Sequence, residues 1–313
     1  MITRVTQRML TGQALSSVET ASTRMANAQE QMTTGRKLNR PSDGPADTTV
    51  ALKARTGVTQ QTQYQRNAQD GLGWLSTVDT ALQQSNSLVN RAYVLALQGA
   101  NTASNGPTAE DALADEVDQL KQGLLSLANT QYLGRPVFGG TTAGGSAFTL
   151  SSTQATDANG APIKDANGNP VYQVQYAGDS GSVSRRVGAD TVVRVDSDGQ
   201  KAFGDVFDQL DQLSASLRAG QEDGIQSGIS AMQDAMTRLS AATADEGART
   251  NQINTAVNVA QDSTLALQKV QSDAEDIDVA EATINLQTQS NAYQAALMAV
   301  SKTSQQSLLD FLS

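Results

Sequence analysis

Residues 14–32 read ALSSVETASTRMANAQEQM, and the spacing of their apolar residues gives the first indication of the fold. These residues recur at alternating steps of four and three: Ala14, Val18, Ala21, Met25, Ala28 and Met32. Such steps place side chains along one stripe of an α-helix, the a and d positions of a coiled coil. We therefore predict a helix from about Thr3 to Thr34, ended by Gly35, whose stripe packs against another helix.

The last part of the chain carries a matching pattern, with apolar residues at steps of seven: Val279, Leu286, Tyr293 and Val300. The charges of the two ends are opposite, because residues 1–40 hold six Lys and Arg against two Glu, whereas residues 271–313 hold one Lys against six Asp and Glu. We predict an antiparallel coiled coil of the two ends. Basic residues are then expected beside acidic ones where the helices meet: Arg36, Lys37 and Arg40 against Asp276, Asp278 and Glu281.

The two ends hold more apolar residues than one seam can bury. We expect seven residues to form the intramolecular seam: Val18, Met25, Met32, Val279, Leu286, Tyr293 and Val300. The tail adds four large apolar residues, which we expect to reach adjacent subunits: Leu308, Leu309, Phe311 and Leu312. Because burial of one such side chain stabilises by about 1.5–3 kcal/mol, this surplus indicates a surface for self-association.

Between the ends, helical apolar periodicity runs on both sides of a different segment. From Gly134 to about Phe203 the chain is rich in Gly, Ser, Thr, Asn and Val, and VYQVQYAG and TVVRV have the composition of strands. Trp74 is expected in the helical core, whereas Arg185 and Arg186 are expected to be solvated. The fold class predicted is mainly α, with paired terminal helices, a trunk formed by a bundle of long helices and a small inserted β domain.

These patterns predict three domains. A terminal coiled-coil assembly domain comprises residues 1–44 and 275–313. A helical trunk comprises residues 45–134 and 204–274, and residues 135–203 form an outer β-rich domain.

Composition excludes most enzyme classes. The chain contains no Cys and no His, which removes thiol nucleophiles, Cys-ligated zinc, histidine bases and Ser-His-Asp triads. Its Ser, Lys and carboxylate residues show no catalytic spacing, and Asp157, Asp165, Asp196 and Asp198 lack the EF-hand spacing and are interpreted as turn residues. We therefore expect no enzyme, no catalytic residues, no cofactor and no metal.

Charge and hydropathy exclude two kinds of partner. The net charge of −10 argues against nucleic acid. No run approaches 18 apolar residues, so no membrane span is expected. The opening MITRVTQRMLTGQ contains no apolar segment of the kind found in cleaved secretory signals.

Six ordered blocks carry a resemblance to a known family. They are LNRPSDGPADTTVALKAR (38–55), QYQRNAQDGLGWLSTVDTAL (63–82), RAYVLALQGAN (91–101), EVDQLKQGLLSLANTQYLGRPVFGGT (116–141), DEGARTNQ (245–252) and NLQTQSNAYQAALMAVSKTSQQSLLDFL (285–312). Together they resemble the bacterial flagellin and hook-associated protein family. TRVTQRML (3–10), NRPSDGP (39–45) and SLLDFL (307–312) most resemble the members that join hook to filament.

This resemblance implies a structural role in the bacterial flagellum. The expected protein is secreted through the type III export channel with a chaperone and forms a ring at the distal end of the hook. Its expected partners are the first hook-associated protein, flagellin and further copies of itself. The resemblance also implies a corner between terminal helices and trunk, held by Asn39, Arg40, Pro41, Ser42 and Asp43. The alternative is a flagellin-type filament subunit.

Overall fold

A computed structural model describes the backbone of residues 2–101, 106–142, 144–157, 160–165 and 167–312. Within these ranges, the side chains of residues 2–8, 10, 11, 107 and 303–312 are not described. The helices are α1 (Ile2–Thr34), α2 (Pro45–Ala100), α3 (Pro107–Ala128), α4 (Gly199–Phe203), α5 (Val206–Arg218), α6 (Glu222–Glu275) and α7 (Val279–Leu312).

Short strands form three separate antiparallel hairpins, each joining two consecutive strands. They are β1 (Gln131–Tyr132) with β2 (Arg135–Pro136), β3 (Phe148–Gln154) with β4 (Tyr172–Tyr176), and β5 (Ser184–Arg186) with β6 (Val192–Arg194). The predicted fold class, mainly α with a small inserted β region, is confirmed. Among the described residues, no helix combines the length and hydropathy that a membrane span needs.

Contacts between Cα atoms divide the chain into two compact units. The terminal unit comprises Met1–Gln61 and Asp262–Ser313, and the central unit comprises Thr62–Gln261. This division lies within α2 and α6, away from the boundaries expected from composition, and the division into three domains stays a prediction.

The central unit contains one hydrophobic core that the helices and hairpins share. Trp74, Phe138, Phe203 and Phe207 are almost fully buried in it. The ring of Phe138 meets that of Phe203 edge to face at 5.1 Å between centroids, an arrangement that aromatic pairs favour. The hairpins are therefore anchored by side chains that pack among helical ones.

Arg185, which the sequence assigned to solvent, instead packs against Trp74. Arg185 is only partly exposed, because its Nε donates to Asp70 Oδ2 at 2.6 Å and its guanidinium lies 5.8 Å from the centre of the Trp74 ring. The expectation that Arg185 is solvated was wrong, since a cation–π contact and an ion pair hold it against α2. Arg186 is exposed, as expected.

A buried ion pair joins α3 to α5 inside the central unit. Lys121 Nζ donates to both carboxylate oxygens of Asp211 at 2.6 Å, and only 11% and 3% of the two side chains are exposed. Burial raises the pKa of Asp211 to about 6, and Lys121 opposes that rise. Nearby, Arg218 contacts Asp115 and Asp118, so charges fix how these two helices face each other.

Candidate assembly surface

The terminal unit contains the predicted coiled coil, formed by α1 and α7. In α1 the stripe residues are buried or half-buried, and from Ala14 to Ala28 the positions between them are exposed: the stripe residues are Ala14, Val18, Ala21, Met25, Ala28 and Met32. In α7 the half-buried residues include Ala282, Leu286, Tyr293, Ala296 and Val300. This alternation of four and three is the burial pattern of a two-helix seam.

Val279, which the sequence assigned to the seam, lies outside it. Val279 is the first residue of α7, and 64% of it is exposed, so it does not pack in the seam. Its role in assembly stays a prediction. The tail residues Leu308, Leu309, Phe311 and Leu312 have side chains outside the described residues, and their contact with neighbouring subunits likewise stays a prediction.

The ends of α1 and α7 are fixed to each other by backbone hydrogen bonds. Gly35 adopts φ +69°, the left-handed conformation that ends a helix, and its carbonyl accepts from Ile277 N at 3.1 Å. Lys37 N donates to the Glu275 carbonyl at 2.7 Å, so that Arg36 and Asp276 form an antiparallel bridge. The predicted antiparallel arrangement follows from these bonds.

Arg36 lies opposite Asp276 in this bridge, as expected, but among the described residues no ion pair joins the expected partners across the joint. Among the described residues, Lys37 and Arg40 pair instead with carboxylates of their own segment, Asp47 at 3.5 Å and Glu30 at 3.4 Å. Asp278 is occupied in another way, because its Oδ1 accepts from Ala280 N at 2.8 Å and caps α7. Lys37 still contributes to the joint in another way, because its Nζ donates to the Asp273 carbonyl of α6 at 3.1 Å.

The predicted corner is a compact 3₁₀ turn over Pro41–Asp43. Asp43 Oδ2 accepts from the backbone N–H of Asn39 at 3.1 Å and of Arg40 at 2.8 Å. Pro41 and Ser42 are exposed. The carboxylate of Asp43 thus stabilises the turn by accepting two backbone hydrogen bonds. The role of the corner in an assembly stays a prediction.

The sequence did not predict an ion pair between α2 and the end of α6. Arg55 Nη2 lies 2.8 Å from the carboxylate of Glu275, whose side chain is 7% exposed. Burial alone would raise the pKa of Glu275, but hydrogen bonds from Arg55 and Gln271 outweigh it and hold that pKa below its usual value. The sequence offered only Arg55 at the end of residues 38–55 and Glu275 in the acidic stretch SDAEDID (272–278), 220 positions away.

Few apolar side chains are fully buried in the described part of the terminal unit. Its fully buried apolar side chains, among those that the structure describes, are all alanine: Ala28, Ala51, Ala54 and Ala274. In the described part of the chain, every larger buried apolar side chain lies in the central unit. The terminal helices therefore bury alanine fully and their larger seam residues, such as Met25 and Leu286, only in part.

The larger apolar side chains of this unit are instead exposed. Of the sixteen exposed large apolar residues in the described part of the chain, ten belong to it: Met9, Leu15, Val50, Leu52, Leu265, Val270, Val279, Ile284, Leu297 and Met298. Met9 is 71% exposed and Ile284 68%. Contiguous exposed apolar residues are typical of surfaces that other proteins cover, and an assembly role for these ten residues is a prediction. We call these ten residues the assembly surface.

The chain matches two models of one protein family. Residues 5–143 match the bacterial flagellin N-terminal helical region, and residues 229–312 match the bacterial flagellin C-terminal helical region. Together the matches cover more than two thirds of the 313 residues and contain α1 from Val5 onward, α7 and the corner.

Individual proteins agree with this result. The flagellin of Bacillus subtilis is 23% identical over 258 residues, 80% of each chain. The flagellin of Clostridium tyrobutyricum is 29% identical over 126 residues, which is 40% of this chain but only 33% of that flagellin. The crystal structure of the flagellar junction protein FlgL from Legionella pneumophila has the same fold, with a TM-score of 0.58 and 14% identity over 72% of this chain and all of that one. With both terminal regions matched in order, the chain belongs to the bacterial flagellin family.

Proposed function

We propose that this chain is a structural, non-enzymatic protein of the bacterial flagellum that joins the hook to the filament. The observation that carries the proposal is the assembly surface, which exposes ten large apolar residues on a unit whose fully buried apolar side chains, among those described, are all alanine. Such a unit gains most of its hydrophobic stabilisation when neighbouring subunits cover it. The likeness in fold to the Legionella junction protein favours the junction over other positions.

In this proposal the subunits form a ring at the distal end of the hook. The first hook-associated protein lies on the proximal side of the ring and flagellin on the distal side. Seam residues such as Met25 and Leu286 hold α1 to α7, and the tail residues Leu308, Leu309, Phe311 and Leu312 reach adjacent subunits. The protein leaves the cell through the type III export channel with a chaperone, and neither nucleic acid nor membrane is a partner.

A flagellin-type filament subunit is the second candidate. It is favoured by the match to Bacillus subtilis flagellin, which extends over 80% of both chains. The two candidates use the same assembly surface but differ in where the protein lies along the flagellum.

Labelling on intact flagella distinguishes the candidates. The chain has no Cys, so S152C, at an exposed position of β3, introduces a unique thiol for a maleimide dye. In the bacterium that produces this chain, we expect one fluorescent spot on each flagellum at the hook–filament boundary. Dye along the whole filament would favour the filament subunit. Dye that stays in the cell, on motile bacteria with unlabelled flagella, would contradict both.

A further inference from the structure

The central unit contains a recess of about 290 Å³ where α4 meets α6. Four basic residues line it: Arg194, Lys201, Arg238 and Arg249. The recess lies in a chain whose net charge is −10, so the general charge of the protein does not account for this concentration of cations. Two carboxylates, Asp198 and Asp245, lie in the same lining.

Most of these cations already have partners. Arg194 holds Asp196 through two hydrogen bonds of 2.9 and 2.8 Å, and Arg249 pairs with Asp245 and donates to the Asp196 carbonyl at 2.8 Å. Lys201, with 83% of its side chain exposed, makes a loose pair of 3.7 Å with Asp198. Burial raises the pKa of Glu246, the second carboxylate beside Arg249, to about 7, so at neutral pH this group neutralises Arg249 incompletely.

Arg238 differs from the others. Its Nε and Nη2 atoms are shielded from solvent and have no hydrogen-bond partner among the described residues. Its guanidinium lies against Gly204, where a Cβ atom would come within 3.4 Å of Nε and where φ is +50°. Arg238 is half-buried, and two guanidinium nitrogens shielded from water without an acceptor cost free energy that an anion in the recess would offset.

We propose that this recess binds a small oxyanion, held by the guanidinium of Arg238. The planar fork of an arginine fits two oxygens of a phosphate or carboxylate group, and a turn of the last side-chain dihedral presents its donors to the recess. The volume admits a free oxyanion or one carried by a small organic molecule. The lining carboxylates can accept hydrogen bonds from hydroxyl groups of such a molecule.

Thermal unfolding of the full chain, followed through Trp74, tests the proposal. Inorganic phosphate at ~10 mM is expected to raise the Tm of the wild type by about 2–4 °C above sodium chloride of equal ionic strength. In R238M the additional shift should vanish, whereas R66M, which removes an exposed arginine on α2, should keep it. The same Tm measurement with sodium acetate shows whether the recess prefers a carboxylate or a phosphate group.

Two results would overturn the proposal. One is a wild-type Tm that responds to phosphate and acetate no more than to chloride. The other is an equal phosphate shift in R238M and in the wild type, which would place the effect elsewhere. If R238M does not fold, the NMR resonance of Arg238 Nε–H in the wild type replaces it, and this signal must move with phosphate while that of Arg66 does not.

Discussion

The variant A28D is expected to separate α1 from α7 and to prevent incorporation of the protein into flagella. Ala28 is 3% exposed at the centre of the seam, so an aspartate there would place a charge between two closely packed helices. Burial of an unpaired charge costs several kcal/mol. Among its described residues, the terminal unit has no fully buried apolar side chain larger than alanine with which to offset that cost.

A26D is the matched control, because Ala26 is two residues away on the exposed face of the same helix. Both variants add one negative charge and the same change in helix propensity. Hydrogen exchange of the purified proteins should show loss of protection in α1 and α7 only for A28D, and swarming in soft agar should fail only for A28D. If the two variants behave alike, the seam assigned to these helices is wrong.

The variant K121M is expected to destabilise the central unit by about 3–5 kcal/mol, the usual cost of leaving one partner of a buried ion pair alone. Asp211 would remain 3% exposed with no cation on either of its oxygens. For a unit of this size the loss corresponds to a Tm lower by roughly 10 °C. The chain has a single Trp, Trp74, which is buried in the central unit, so its fluorescence follows this transition.

Two comparisons make this experiment specific. The double variant K121M/D211L replaces both charges by apolar groups and should recover most of the loss. The loss of unfolding free energy in K121M relative to the wild type should also be smaller near pH 5 than near pH 8. Burial raises the pKa of Asp211, so the folded state prefers the protonated form, and the penalty for a lone carboxylate disappears as pH falls below that pKa. A deficit that is independent of pH and persists in the double variant would point to lost packing instead.

Local sequence patterns predicted the fold well where the signal for a helix or strand lies within that helix or strand. The step of four and three residues around Met25 identified the seam, Gly35 marked the end of α1, and VYQVQYAG marked β4. Each of these signals lies within a few residues of the chain, and each depends on periodicity or on a backbone conformation.

Pairs that are distant in sequence could not be predicted in this way. Arg185 was assigned to solvent because nothing near it indicates Asp70, 115 positions away. Lys121 and Asp211 are likewise 90 positions apart. For Asp278 the error had another cause, since a carboxylate can either cap a helix or pair with a cation, and the sequence does not distinguish these uses.

Among the described residues, the terminal unit fully buries no apolar side chain larger than alanine, and this has a thermodynamic consequence. Removing apolar area from water lowers the heat capacity, and the stabilisation it gives weakens on cooling. In the proposed assembly, the ten exposed apolar residues leave water when subunits meet and not when the terminal helices fold. We therefore expect assembly to carry its own decrease in heat capacity, so that the joint between subunits loosens in the cold and tightens on warming.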